Sequence, residues 1–114
     1  MIKLKHLISE NKRDIIKYQA EFAAYLKGMK PRIAGFRWTE ERMTGSWEWY
    51  NPRINIVVYA TWGWEGKEQV PIETEDGDVI KTLKYKHTGD LKKDATWYIS
   101  NMKRYLPGIA KDYK

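Results

Sequence analysis

An α+β fold is predicted by three features of this sequence. Apolar residues recur at helical spacing near both ends of the chain, apolar and aromatic residues alternate with polar ones through its middle, and Gly, Pro and Asx-Gly signals cut that middle into short strands. The expected architecture is an N-terminal helix, an antiparallel meander of four to five strands and a C-terminal helix. Both helices cover one face of the sheet, and the other face stays open.

The first helix is expected over residues 10–27. Ile15, Ile16, Gln19, Phe22, Ala23 and Leu26 share one face, Asn11 caps it with Asp14 three residues on, and Gly28 and Pro31 stop it. Residues 32–39 alternate as one strand with Ala34, Phe36 and Trp38 on one side, and residues 44–50 place Trp47 and Trp49 together. Asn51-Pro52 marks a turn. Residues 54–64 carry the strongest alternation, with Ile54, Ile56, Val58, Ala60, Trp62 and Trp64 in step, and read as a central strand. Residues 69–74 and 79–85 form a hairpin around Asp76-Gly77. The second helix is expected over residues 90–105, with Thr88 or Asp90 as its cap and Leu91, Ala95, Tyr98, Ile99, Met102 and Leu106 as its buried stripe. Pro107-Gly108 ends it, and the last six residues fray.

At 114 residues the chain suits one domain with a modest core. It has no cysteine, which excludes disulfides and thiolate chemistry. No apolar run is long enough to cross a bilayer, so no membrane partner is expected. Lys and Arg number 21 against 15 acids, a net +6 that favours anionic partners such as DNA or RNA. Six Trp and eight Tyr against two Phe give large apolar area with polar handles, useful in a core or at an interface.

Residues that could carry catalysis are few. His6 and His87 are the two histidines, and His87 alone cannot build a zinc site. There is no Gly-rich phosphate loop, nucleophile elbow or zinc-protease helix, and Ser46 and Ser100 lie far in sequence from any base. Glu73, Glu75, Asp76 and Asp78 crowd the hairpin tip but lack the spacing of a calcium loop, so they read as a solvated turn. Glu48, between two tryptophans, points away from them in a strand. No catalytic residue, metal or cofactor is assigned. A small hydrolase or nuclease, with His87 or Glu48 in the working role, is the least favoured reading.

Aromatic residues beside cations offer more. Bases stack on exposed rings while Arg and Lys meet phosphates. Trp47, Trp49, Trp62 and Trp64 share the parity of the core, which leaves Arg37, Tyr50, Arg53, Tyr59 and Lys67 as the outward set for a partner or nucleic acid.

The first ten residues, Met-Ile-Lys-Leu-Lys-His-Leu-Ile-Ser-Glu, form an amphipathic segment with Ile2, Leu4, Leu7 and Ile8 apolar. It stops at Ile8-Ser9-Glu10, ahead of Asn11-Lys12-Arg13-Asp14, the polar first turn of the expected helix. The apolar run is too short and too interrupted by Lys3, Lys5 and His6 for a secretory signal. The segment resembles the capsid-targeting prepeptide of internal head proteins of T-even-like tailed bacteriophages, and the resemblance is confined to these ten residues. It implies docking onto the prohead scaffold and cleavage by a prohead protease after a Leu/Ile-x-Glu signal, here between Glu10 and Asn11. Residues 11–114 would then be the mature domain, with a net charge of +5 once Lys3, Lys5 and Glu10 have left. The resemblance further implies packaging with DNA inside the virion head and ejection into the host cytoplasm. There such a protein acts by binding, as an inhibitor of a restriction or other host defence protein. The alternative is a small basic nucleic-acid-binding module.

Overall fold

Eight elements follow in the order helix, six strands, helix: α1 (Ile2–Met29), β1 (Arg32–Ile33), β2 (Phe36–Glu40), β3 (Trp47–Asn51), β4 (Ile56–Tyr59), β5 (Gln69–Thr74), β6 (Val79–Lys84) and α2 (Leu91–Asp112). The computed structural model describes the backbone of residues 2–41, 43–63 and 68–112, and within them the side chains from residue 16 onward. The sheet is a simple antiparallel meander in sequence order. Both helices lie on one face. Phe22 of α1 stacks on Trp47 at 5.4 Å, and Tyr98 of α2 meets Trp47 and Trp49 at 5.6 and 6.2 Å, rings of equal parity on β3.

The expected fold class holds, with one strand more than the upper expectation. Residues 32–39 are two strands, not one, because Ala34 and Gly35 adopt φ of +52° and +87° and turn the chain back after Ile33. Two consecutive positive φ values make the tight hairpin turn whose twist matches the flanking strands. The turn shifts the parity: Ile33, Phe36 and Trp38 are buried, and Ala34 is exposed. Asn51 holds the turn from β3, its Nδ2 donating to the Ala34 carbonyl at 3.3 Å. A Cβ on Gly35 would lie 3.0 Å from that nitrogen. Gly35→Ala should therefore cost about 1–2 kcal/mol through left-handed strain and crowding. Gly28→Ala, inside α1 with nothing within 4 Å, should instead stabilise by roughly 0.5–1 kcal/mol. Urea unfolding of the two variants reads both the sizes and the opposite signs.

α1 starts at Ile2 and passes Glu10 and Asn11 without a break, so Asn11 is no cap and no helix boundary lies there. Of its expected face, Phe22, Ala23 and Leu26 are buried, but Ile16 is 49% exposed; the Ile15 side chain lies outside the described residues. The helix ends at Met29, two residues later than Gly28 suggests. Lys30 takes the left-handed position, φ +50°, and its N–H bonds the Leu26 carbonyl at 3.1 Å.

The strand expected over residues 54–64 is only Ile56–Tyr59, although Val58, Ala60 and Trp62 continue its buried alternation; Trp64 lies outside the described residues. The β5–β6 hairpin matches its expected range to within a residue. Its loop is a turn in which the Gly77 N–H bonds the Thr74 carbonyl at 3.0 Å, with Gly77 at φ +88° and a register shift at Ile72/Glu73. α2 is capped by Asp90, whose Oδ1 accepts the N–H groups of Lys92 and Lys93 at 3.0 and 3.2 Å. It runs through Pro107 and Gly108 to Asp112, contrary to expectation. Leu106 and Ile109 on either side of that pair are buried in the core, and burying a side chain of that size, worth about 1.5–3 kcal/mol, offsets most of the cost of proline in a helix.

The core is aromatic. Trp49 Nε1 donates to the Tyr98 hydroxyl at 3.0 Å, which donates to the Ala60 carbonyl at 2.7 Å, so the buried polar tips serve one another. Trp38 Nε1, buried and without a hydrogen bond among the described residues, lies near the same hydroxyl.

Candidate functional site

The most organised polar cluster joins both helices to the end of β6. Asp94, one turn into α2, is fully buried. Its carboxylate accepts hydrogen bonds from the Tyr18 hydroxyl of α1, the Tyr85 hydroxyl at 3.0 Å, and the Thr88 N–H and hydroxyl at 3.0 and 2.9 Å. Burial pushes its carboxyl up, yet the hydrogen bonds from Tyr18, Thr88 and Tyr85 together outweigh burial and hold it below the ordinary aspartate range. The phenol of Tyr18 moves the other way, driven upward by burial first and then by its bond to the Asp94 carboxylate.

Beside this cluster His87 stacks on Tyr18 with centroids 4.6 Å apart. Glu68 accepts from His87 Nδ1 at 2.8 Å and from its backbone N–H at 2.5 Å. A carboxylate only accepts, so the proton of the neutral ring sits on Nδ1, leaving Nε2 as an acceptor. These residues, with Gln19, Phe22, Trp47 and Trp62, line a pocket of about 20 Å³. That is room for a single water and no more. The cluster has the shape of a clamp tying α1, the loop before α2 and α2 together. Glu48 is on the opposite, open face of the sheet, so the two residues of the enzyme reading do not meet. Among the described residues no group of three or more His, Cys, Asp or Glu could hold a metal.

The open face has two halves of opposite charge. Cross-strand register places Arg32, Arg37, Tyr50 and Val57 in one row. The next row is Thr39, Glu48, Tyr59 and Glu73, and Glu75 Oε1 accepts the Val57 N–H at 2.8 Å. The Glu48 carboxyl is pushed up by partial burial and then by Glu41 and Glu75. Tyr59 is pushed up by burial, Glu48 and Glu75. Carboxylates therefore surround Tyr59, which repels phosphates there.

Of the residues expected outward, Arg37 and Tyr50 are direct cross-strand neighbours, and the Tyr50 hydroxyl donates to Asn55 Oδ1 at 3.1 Å. Arg53 lies in the β3–β4 turn, its N–H bonded to Asn51 Oδ1 at 3.0 Å, and Tyr59 stands apart from both among acids. Lys67 lies outside the described residues, as do the side chains of Ile8, Ser9, Glu10 and Asn11 at the expected cut. Missed from the sequence were Asp94, Tyr18 and Glu68. Asp94 alone left a signal: it is a carboxylate set beside Ala95 and one turn before Tyr98 on the stripe read as buried. Also missed were Lys27, Lys30 and Arg32, which join Arg37 around an open groove of about 460 Å³ between the end of α1 and the edge of the sheet.

No protein-family model, curated protein or solved structure matches the chain.

Proposed function

We propose that this protein is an internal head protein, carried in a phage capsid and ejected with the genome, that acts in the host by binding. The observation that carries the reading is the amphipathic segment of residues 1–10, ending in Ile8-Ser9-Glu10. Its resemblance to a capsid-targeting prepeptide implies the prohead scaffold, the prohead protease and packaged DNA as partners, and a host restriction or other defence enzyme as the target.

One feature of the fold supports this. The pocket beside the only described His–carboxylate pair admits one water, which favours action through the surface over turnover in a cleft. The reading also makes a demand. α1 is continuous across Glu10 and Asn11, and a protease takes extended backbone, so this end of the helix must open before cleavage. Helix ends open at low free-energy cost.

Coexpression with a prohead protease of the matching phage type tests the reading by intact mass. The wild type should yield a product beginning at Asn11, and Glu10→Ala should stay at full length. An uncut wild type, or equal cleavage of both chains, would overturn it.

A further inference from the structure

The groove at the end of α1 shows which chemistry this surface fits. Lys27 and Lys30 come from the helix terminus, and Arg32 and Arg37 from the β1–β2 hairpin; among the described residues Glu40 is the single carboxylate on its walls. All four cations are exposed. The helix C-terminus accounts for Lys27 and Lys30, since cations there meet the negative end of the helix dipole. Nothing of that kind accounts for the arginines. Arg32 and Arg37 are direct partners across β1–β2, a placement in which like charges oppose folding. Among the described residues neither forms an ion pair. The positive surface continues around the hairpin into an adjoining groove lined by Arg53 and Lys111, while Glu48, Glu73 and Glu75 hold the far part of the open face.

We infer that the groove between the end of α1 and the β1–β2 hairpin docks the phosphodiester backbone of double-stranded nucleic acid, without reading its bases. A backbone is a convex ridge of single negative charges, and a concave wall of Lys and Arg matches it. A membrane surface is flat and would meet a convex basic face instead. Single-strand recognition needs exposed rings for stacking, but among the described residues Trp38 is the one aromatic residue lining the groove, and it is buried. The inference takes from the proposed function only that the protein works by binding. It depends on neither the prepeptide nor its cleavage.

The test uses the full chain and a short fluorescein-labelled duplex of arbitrary sequence, followed by anisotropy between about 50 and 200 mM salt. Wild type should bind with affinity falling steeply with salt. The double variant Arg32→Gln/Arg37→Gln should bind more than tenfold more weakly at the low-salt end. Its slope of log affinity against log salt should be shallower by about 2, since each lost phosphate contact removes roughly 0.9. Lys81→Gln/Lys84→Gln removes the same charge from exposed positions on β6, at the other edge of the sheet, and should change neither quantity. Circular dichroism checks that both variants are folded. Equal weakening by the two doubles would reduce the effect to net charge and overturn the inference. So would tighter binding to single strands, binding to phosphatidylserine vesicles in place of duplex, or no duplex binding. Retained duplex binding in a chain that no prohead protease cuts would separate this inference from the prepeptide reading.

Discussion

Asp94→Asn should lower stability by about 3 kcal/mol and Tm by roughly 10–20 °C. The native carboxylate is fully buried and receives hydrogen bonds from two tyrosine hydroxyls and from the Thr88 N–H and hydroxyl. An amide of the same shape keeps one accepting oxygen and turns an NH2 group toward donors, so at least one buried donor loses its partner. The pH dependence identifies the cause. The folded carboxyl titrates below the ordinary value, and an unfolded aspartate titrates near about 3.9. The unfolded chain therefore binds the proton first as acid is added. Its contribution is fully present above about pH 4 and is lost as pH falls through the lower folded value. Stability of the wild type should drop in that window, and the Asn variant should lack this part of the drop. Tyr18 acts at the other end. Its folded phenol is raised, so its contribution is present below the unfolded value of about 10 and is lost as pH rises beyond it. Urea midpoints across pH measure both limbs. An Asn variant with the acid limb of the wild type would remove Asp94 from its assigned role.

Trp47→Ala should cost about 3–5 kcal/mol, a large part of the stability of a domain this size. Trp47 is fully buried at the centre of the aromatic core. It faces Phe22 of α1 at 5.4 Å, Trp38 of β2 at 5.9 Å and Tyr98 of α2 at 5.6 Å. Its removal leaves a void where both helices meet the sheet, and rings of that size cannot collapse to fill it. Trp97 offers the comparison. It stacks on Tyr85 at 4.1 Å but is only partly buried, so Trp97→Ala should cost clearly less. The urea midpoint should fall with little change in m for each variant.

The tryptophans also show what the sequence made legible. Trp47, Trp49, Val58, Ala60 and Trp62 alternate because one face of a strand is buried, and the helical stripe of Phe22, Ala23, Leu26, Tyr98 and Met102 faces them for the same reason. Both patterns are local, and they fixed the α+β class and the shared helix face. Boundaries were less legible, because tertiary burial overrides local punctuation. Gly28 did not stop α1, and Pro107-Gly108 did not stop α2 while Ile109 had a place in the core. Ala34 concealed a hairpin, since only its neighbour Gly35 advertises positive φ.

The candidate surface was legible in part. Arg37, Tyr50 and Arg53 were read as outward residues, and register brings Arg37 and Tyr50 side by side. Tyr59 shares their parity, but pairing sets it between Glu48 and Glu73, which no single-strand reading reveals. Lys27 and Lys30 reach the same groove from a helix, a juxtaposition that belongs to the tertiary fold.

Under the proposed function the protein travels inside a phage head, trimmed of its first ten residues. Mass spectrometry of purified virions of a phage that carries its gene, after release of the DNA by osmotic shock, decides this. The released proteins should include a chain that begins at Asn11. A chain absent from the particles, or present there with residues 1–10 intact, would contradict it.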